Sequence, residues 1–375
     1  MKKFYSTLLL VALSVVACQS SQENQVATDF SSYKIDVEAS SVLFEEQIAS
    51  LELLGFEEST KSLLNDKVLF FKSEEGYVVV DQDAGTVYLF DDKGAYRSKF
   101  NHKGDGPKDY KYMRHTQYRD GLIETFVLEA KKALQYDLEG NFIKSLEMPY
   151  FASHVFYHND GYLLGMGNQV DLDSVYHDVI FTDSEMKPYA FALPFDKPKG
   201  VPLAGPDNEF RLFEDKILFN PFWTDSVYQI NDNKASPYLR FDFGDAWLWD
   251  EIPLSNDFNV NMIQGKVWSF TWVIGRNRIE INYMTDLDQP PGIGYIDRRT
   301  GKFSNYKYDW SERQRLPCIP LRFEDGKLLV TFLADELDNV IQTVGRNNVF
   351  TKGFLSIDDV LASENPVLVW LTFKD

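Results

Sequence analysis

Cysteine is nearly absent from this 375-residue chain, which contains only Cys18 and Cys318. Two cysteines cannot form the disulfide framework that stabilises small secreted domains. The prolines on either side of Cys318 favour a small buried side chain there over a reactive thiol. The fold must therefore depend on apolar burial, and a chain of this length exceeds one ordinary core unless it is built from repeats.

The chain also lacks a hydrophobic run long enough to cross a membrane. Leu8–Ala17 is apolar but spans ten residues, whereas a membrane-crossing helix needs about 20. This run follows the basic pair Lys2-Lys3 and is predicted to be a signal peptide. Its end, Val15-Val16-Ala17-Cys18, resembles the lipobox of bacterial lipoproteins.

These features predict three parts of the chain. Residues 1–17 are expected to be a lipoprotein signal peptide, and residues 18–32 a lipidated cysteine with a flexible polar tether. Residues 33–375 are expected to form a single domain. Lipid on Cys18 would hold the protein in a bilayer of the bacterial cell envelope, in the outer membrane, with the periplasmic or surface face left open.

The chain contains fewer basic than acidic residues, with 38 Lys and Arg and 57 Asp and Glu, so its formal net charge is -19. Such a surface repels phosphate backbones, which excludes nucleic acid as an expected partner. Asp81-Gln82-Asp83 and Asp171-Leu172-Asp173 resemble the start of a calcium loop, but neither has the closing Glu of that motif. No cofactor and no metal site is therefore expected, with calcium as the open alternative.

Helical periodicity is scarce after the N-terminus, with short candidates near Ser40–Leu54 and Ile357–Ser363. Aromatic residues make up 15% of the chain and stand in short β-like runs. Phe90-Asp91-Asp92-Lys93-Gly94-Ala95-Tyr96 recurs 46 residues later as Tyr136-Asp137-Leu138-Glu139-Gly140-Asn141-Phe142. A hairpin that returns at this interval is typical of a β-propeller blade.

The prediction is an all-β fold, a six-bladed β-propeller, with seven blades as the alternative. The N-terminal leader is expected to supply a strand that closes the ring, and insertions are expected near residues 276–291 and 335–348. Six third-strand ends mark the blades: Asp91, Asp137, Thr182, Asn231, Asp297 and Asp358.

Three stretches resemble one known family, the six-bladed TolB-like propeller lipoproteins of gut-type Gram-negative bacteria. They are the loop Gly104–Tyr110, the segment Phe219–Tyr228 with its Asp-Ser-Val-Tyr ending, and Asn365–Trp370. Asp105 departs from the family loop, which seldom has a charge at that position. The resemblance implies the propeller fold and the envelope location, but no particular activity.

Motifs of known catalytic or metal sites are missing: the chain has no His-Glu-x-x-His, no nucleophile elbow and no cysteine cluster. The main functional prediction is a non-catalytic binding or scaffold module for a glycan, a peptide or a protein partner. Rigid aromatic rings and arginines suit such a site, and the candidates are Trp223, Trp272, Arg276, Trp310 and Arg313.

The alternative function is a propeller hydrolase or lyase, whose acid and base would project into the central funnel. The candidate residues for that chemistry are His102, Asp105, His115 and Asp225.

Overall fold

The computed structural model describes residues 30–113, 115–167, 176–195, 210–250, 260–287, 289–308 and 318–374. The N-terminal segment contains β1 (Ser31–Lys34), β2 (Ser41–Leu43) and β3 (Ile48–Leu54). The first three blades are β4 (Val68–Ser73), β5 (Gly76–Asp81), β6 (Thr86–Asp91) and β7 (Tyr96–Asn101); β8 (His115–Arg119), β9 (Leu122–Val127), β10 (Lys132–Asp137) and β11 (Phe142–Glu147); and β12 (His154–His158), β13 (Gly161–Gly165), β14 (His177–Thr182) and β15 (Pro188–Pro194).

The remaining strands complete the ring. Blade four is β16 (Phe210–Phe213), β17 (Lys216–Phe219), β18 (Ser226–Asn231) and β19 (Lys234–Asp242); blade five is β20 (Ser269–Ile274), β21 (Arg278–Met284), β22 (Gly292–Asp297) and β23 (Lys302–Lys307). The C-terminal strands are β24 (Cys318–Glu324), β25 (Lys327–Phe332), β26 (Val349–Thr351) and β27 (Val367–Phe373). Among the described residues these strands form six sheets, which confirms the predicted six-bladed β-propeller.

Helices are few and lie between strands. The α-helices are α1 (Ala334–Val344) and α2 (Ile357–Ala362), and the described 3-10 helices are Glu45–Gln47, Leu128–Ala130, Gly244–Ala246, Leu248–Asp250, Val260–Ile263 and Arg346–Asn348. α1 buries Leu337, Val340 and Ile341 on one face against blade six. α2 begins at a reciprocal cap in which the Ser356 hydroxyl accepts from the Asp359 amide and the Asp359 carboxylate accepts from the Ser356 amide.

The N-terminal segment closes the ring, as predicted. β3 pairs antiparallel with β27 and becomes the fourth strand of blade six, so the two ends of the chain meet in one sheet. β1 and β2 add parallel to the outer strands β19 and β23 of blades four and five. Closure leaves no blade without a neighbour, which removes the large exposed faces of an open sheet.

Apolar side chains fill the space between neighbouring blades. Tyr77 and Val79 of β5 face blade six, whereas Val78 and Val80 of the same strand face blade two. Because successive residues of a strand point to opposite faces, each inner blade needs apolar residues on both sides. The described residues accordingly form six apolar clusters, one at each junction between neighbouring blades.

The repeated hairpin is built in the same way in the first two copies. The Asp91 amide donates to the Ala95 carbonyl at 2.9 Å, and the Asp91 carboxylate accepts from the Ala95 amide at 2.8 Å. Asp137 makes the same two bonds with Asn141, at 3.1 and 2.7 Å. The two aspartates occupy equivalent turns, as the repeat predicted.

A third copy follows after another 46 residues and was not recognised in the sequence. The Asp183 amide and carboxylate bond with Lys187 at 3.0 and 2.9 Å, as in the other two turns. The expected marker was Thr182, one residue earlier. Met186 adopts a left-handed φ of 60° where the other copies have Gly94 and Gly140, and this replacement hid the repeat.

The prediction for blade five was wrong in detail. The first strand was expected at Asn259–Met262, but Val260–Ile263 is a 3-10 helix and β20 supplies the first strand. β21 lies inside the segment expected to be an insertion. Its alternating sequence contains Arg278 and Glu280, two charged residues that are typical of a loop but form a buried pair here.

The prediction for blade six also needs correction. Gly353–Ile357 was expected as the third strand and Asp358 as its end, but Asp358 lies in α2 and the third strand is β27. β24, β25 and β27 are the first three strands of this blade, and β3 supplies the fourth. The short strand β26 pairs with the outer edge of β3. The expected insertion at 335–348 is confirmed and contains α1.

Candidate functional site

The first strand of each blade borders the axis of the ring. β8 contacts β12, and β20 contacts β24. Between β12 and β16 the Phe156 and Phe210 rings lie 5.9 Å apart, and between β16 and β20 the Arg211 guanidinium carbon lies 5.4 Å from the Trp272 ring. We call the space bordered by β4, β8, β12, β16, β20 and β24 the axial channel.

Side chains line this channel without filling it. Leu212 on β16 is 65% exposed and Ile319 on β24 is 50% exposed, although both strands are the innermost of their blades. Every residue of β8 and β12 is half-buried. A plugged axis would bury these strands, so the channel is open to water.

The charge of the channel wall is opposite to that of the chain. The six inner strands contain four cationic residues, Lys72, Arg119, Arg211 and Arg322, and one acidic residue, Glu324. They also contain three of the five histidines, His115, His154 and His158. The inner strands therefore contain more cationic than acidic residues, and this excess attracts anions.

Three of the cations have partners. Arg322 pairs with Glu324 on its own strand, with Nη2 at 2.6 Å from Oε1. The Arg119 guanidinium lies 3.3 Å from the centre of the Tyr157 ring and 3.8 Å from the Glu124 carboxylate. The Lys72 ammonium lies 4.2 Å from the Tyr77 ring.

Arg211 has no acidic partner among the described residues. The Nε atom of Arg211 is inaccessible to water and makes no hydrogen bond among the described residues. Other atoms of the residue remain partly exposed. Burial removes water from the guanidinium, and this desolvation lowers the pKa of Arg211 to about 10. Arg211 is still positively charged at neutral pH.

A buried carboxylate fixes the wall between blades two and three. Glu124 on β9 is fully buried and accepts hydrogen bonds from Gln117 Nε2 at 2.7 Å, Gln135 Nε2 at 2.6 Å and Tyr162 Oη at 2.5 Å. The Gln117 oxygen in turn accepts from the Tyr157 amide of β12 at 3.2 Å. This network ties the inner strands of two blades and orients Gln117 in the wall.

The predicted binding residues fall in different places. Trp272 lies beside the channel but is 3% exposed and packs against Arg211. Trp223 is buried in an aromatic cluster, with its ring centre 4.4 Å from that of Trp249. Arg276 is exposed on the turn after β20 and pairs with Glu214 at 3.3 Å. Trp310 and Arg313 lie outside the described residues.

The four residues considered for catalysis are not joined to one another by any described hydrogen bond or ion pair. His102 Nε2 bonds to the Gly140 carbonyl at 2.7 Å. Asp105 is exposed and pairs with Lys111, and Asp225 is buried and pairs with Arg240 at 2.8 Å. His115 lies on β8, which borders the channel, and its ring centre lies 5.4 Å from that of His154.

Sequence reasoning missed Arg211 and Glu124. A signal for both was present, because each is the single charged residue of its strand, Phe210–Phe213 for Arg211 and Leu122–Val127 for Glu124. Combining that charge with the position of the strand in its blade would have directed attention to Arg211. The prediction instead favoured aromatic residues, and the structure buries most of these between blades.

Cys318 is a buried free thiol at the start of β24. Burial, with the nearby carboxylates of Glu280, Glu336 and Glu45, raises the pKa of this thiol well above its ordinary value. Cys18 lies outside the described residues.

In the part of the chain that the structure describes, no three His, Cys, Asp or Glu side chains are grouped to hold a metal ion, and no helix has the length and apolar character of a membrane crossing.

Comparison with known protein families gives one match that spans nearly the whole chain. The model of DUF4934, a domain of unknown function, matches residues 32–372. The chain belongs to the DUF4934 family. No curated protein sequence matches this DUF4934 chain. The finer resemblance to TolB-like lipoproteins of gut bacteria stays a prediction.

Of three solved structures similar to this DUF4934 protein, the first shares its propeller fold. A Bacteroides fragilis protein named for its inferred export has 16% identity and a TM-score of 0.71, over 92% of this chain and 100% of its own. A DUF4221 family member from Bacteroides vulgatus has 12% identity and a TM-score of 0.46, over 87% and 98%. Virginiamycin B lyase from Staphylococcus aureus has 10% identity and a TM-score of 0.39, over 82% and 80%. At these identities the likeness shows the fold alone.

Proposed function

We propose that this protein is a non-catalytic binding module that takes a glycan, a peptide or a segment of a partner protein into its axial channel. The observation that supports the proposal is the open wall, where Leu212 and Ile319 each expose half or more of their surface. Apolar side chains beside a few polar groups are the usual lining of ligand sites. The surrounding blades hold this wall in place before a ligand arrives, which lowers the ordering cost of binding.

Ligand pools should stabilise the protein against heat in a channel-dependent way. Residues 30–375 would be unfolded alone, with pooled envelope glycans, with pooled dietary glycans, with peptides, and with calcium or a chelator. A ligand at about 100 times its dissociation constant adds about 2.7 kcal/mol to the free energy of unfolding, which raises the melting temperature measurably. We expect Leu212→Trp to remove the rise, because the larger ring occupies the open channel.

Ile143→Trp is the matched control, since Ile143 is 49% exposed on the outer strand β11, away from the axis. This variant should respond to the active pool as the natural protein does. An equal response from Leu212→Trp would place the ligand outside the channel. Mass spectrometry of the recovered ligand separates binding from catalysis: an unchanged ligand supports the proposal, whereas fragments would support the hydrolase or lyase alternative.

The same proposal includes a cellular location. The protein is exported and is anchored in the outer membrane by lipid on Cys18. The lipobox-like ending and the polar tether support it, and a structural relative is named for its inferred export. In cells fed a labelled fatty acid, we expect Cys18→Ser to lose the label and leave the membrane fraction. Cys318→Ser, which changes the other cysteine, should keep both, and membrane retention by Cys18→Ser would contradict the anchor.

A further inference from the structure

The surroundings of the Arg211 guanidinium are typical of a ligand-binding arginine rather than of a structural one. Two structural arginines of this protein have acidic partners: Arg240 bonds to Asp225, and Arg278 bonds to Glu280 at 2.6 Å. Arg211 combines a buried, unbonded Nε with no described carboxylate in contact. No carboxylate of the described residues balances this enclosed cation, and pairing with an anion from outside the chain would stabilise it. The planar guanidinium suits carboxylate, phosphate and sulfate oxygens, which it binds in pairs.

One mouth of the channel is acidic. The turns that follow the first strands carry seven exposed carboxylates at this mouth: Glu74, Glu75, Asp120, Asp160, Glu214, Asp215 and Asp325. Arg211 is the second of the four residues of β16, so Leu212 and Phe213 separate it from the turn that contains Glu214 and Asp215. These carboxylates repel an anion at the mouth, whereas the guanidinium of Arg211 attracts it inside the channel.

The wall next to Arg211 is apolar. Leu212 follows it directly in β16 with 65% of its surface exposed. Covering this side chain would remove apolar surface from water, a gain that a bare inorganic anion cannot provide. The wall therefore favours a molecule with both a charged group and an apolar body.

We propose that the axial channel binds an amphipathic organic anion, whose acidic group pairs with Arg211 and whose apolar part covers Leu212. This inference rests on the proposed binding function and names the chemical class of its ligand. Carboxylate, phosphate and sulfate groups share the required chemistry, and the choice of competitors below separates them.

The test uses 8-anilinonaphthalene-1-sulfonate, a fluorescent amphipathic anion, with residues 30–375, which contain every described strand and both strands that close the ring. We expect saturable binding that octanoate or octyl phosphate displaces. Octylamine and octanol should displace the dye at least tenfold less well, because they lack the negative charge. Inorganic phosphate and sulfate should also be weak, because they lack the apolar body. Equal displacement by octanol, or by inorganic phosphate, would overturn the inference.

Arg211→Gln should weaken dye binding about tenfold or more, and Arg211→Lys should retain part of it. Arg97→Gln is the matched control, because Arg97 is exposed on the outer strand β7 and paired with Glu75; it should bind within about twofold of the natural protein. Unchanged binding by Arg211→Gln would overturn the inference.

Circular dichroism and thermal unfolding show whether each variant is folded. If Arg211→Gln does not fold, Leu212→Glu tests the same point from an exposed position, where an added carboxylate should repel the dye; unchanged dye binding by Leu212→Glu would overturn the inference. Failure of this inference is distinct from failure of the proposed function. Ligand pools that stabilise Arg211→Gln and the natural protein equally, but not Leu212→Trp, would retain a channel ligand while excluding its anionic group.

Discussion

Deletion of residues 1–56 is expected to abolish cooperative folding. The deletion removes β3, the fourth strand of blade six, and with it the contact that closes the ring. β3 buries Ile48, Leu51, Leu53 and Leu54 almost completely. At about 1.5–3 kcal/mol for each buried side chain, the loss is about 6–12 kcal/mol. This is comparable with the whole stability of a folded domain, about 5–15 kcal/mol.

A shorter deletion controls for the loss of chain length. Removing residues 1–40 takes away β1 but leaves β2, β3 and the closed ring. This protein should unfold cooperatively at a lower denaturant concentration, because it loses the buried side chains of Tyr33 and Ile35. Urea unfolding followed by tryptophan fluorescence distinguishes the two. A sharp transition after deletion of residues 1–56 would show that the ring does not depend on β3.

Glu124→Ala is expected to destabilise the protein by about 3–5 kcal/mol. The Glu124 carboxylate is the common acceptor for Gln117, Gln135 and Tyr162, and it lies 3.8 Å from Arg119. Removing it leaves these donors buried without an acceptor, and an unmade buried hydrogen bond costs more than a made one contributes. The measurement is the midpoint of urea unfolding at an unchanged slope.

Two variants calibrate that result. Glu75→Ala removes an exposed carboxylate that pairs with Arg97 at 2.7 Å, and it should change stability by less than about 1 kcal/mol. Glu124→Gln keeps one acceptor oxygen and should fall between the two alanine variants. Equal midpoints for Glu124→Ala and Glu75→Ala would mean that the buried network contributes no more than a surface ion pair.

The repeat made the fold predictable, because local turn chemistry determined the blade hairpins. Every 46 residues an aspartate carboxylate accepts a hydrogen bond from the turn, and a residue with positive φ follows three positions later. In the first two blades that residue is a glycine, so the sequence displays the repeat. The third copy was missed since Met186 replaces the glycine. β21 was missed since Arg278 and Glu280 neutralise each other inside the protein, a pairing that a sequence does not display.

The candidate site was much less predictable than the fold. Tryptophan was a reasonable guess for a binding surface, yet Trp223 and Trp272 are buried by neighbouring blades. The exposure of Leu212, by contrast, arises because six inner strands stand apart around an axis. That distance depends on the number of blades and on how they pack, and no local pattern encodes it.

The sequence by itself determined the all-β class, the blade repeat, the acidic surface and the cysteine at a lipobox-like site, because each depends on residues close together in the chain. The tertiary structure decided which strand closes the ring, which aromatic residues are buried and where the cations gather. These features depend on contacts between residues far apart in sequence, such as β3 with β27 or Arg211 with Trp272. Burial and charge pairing are properties of those contacts, so the sequence could mark Arg211 as an unusual charge in a strand but could not show what surrounds it.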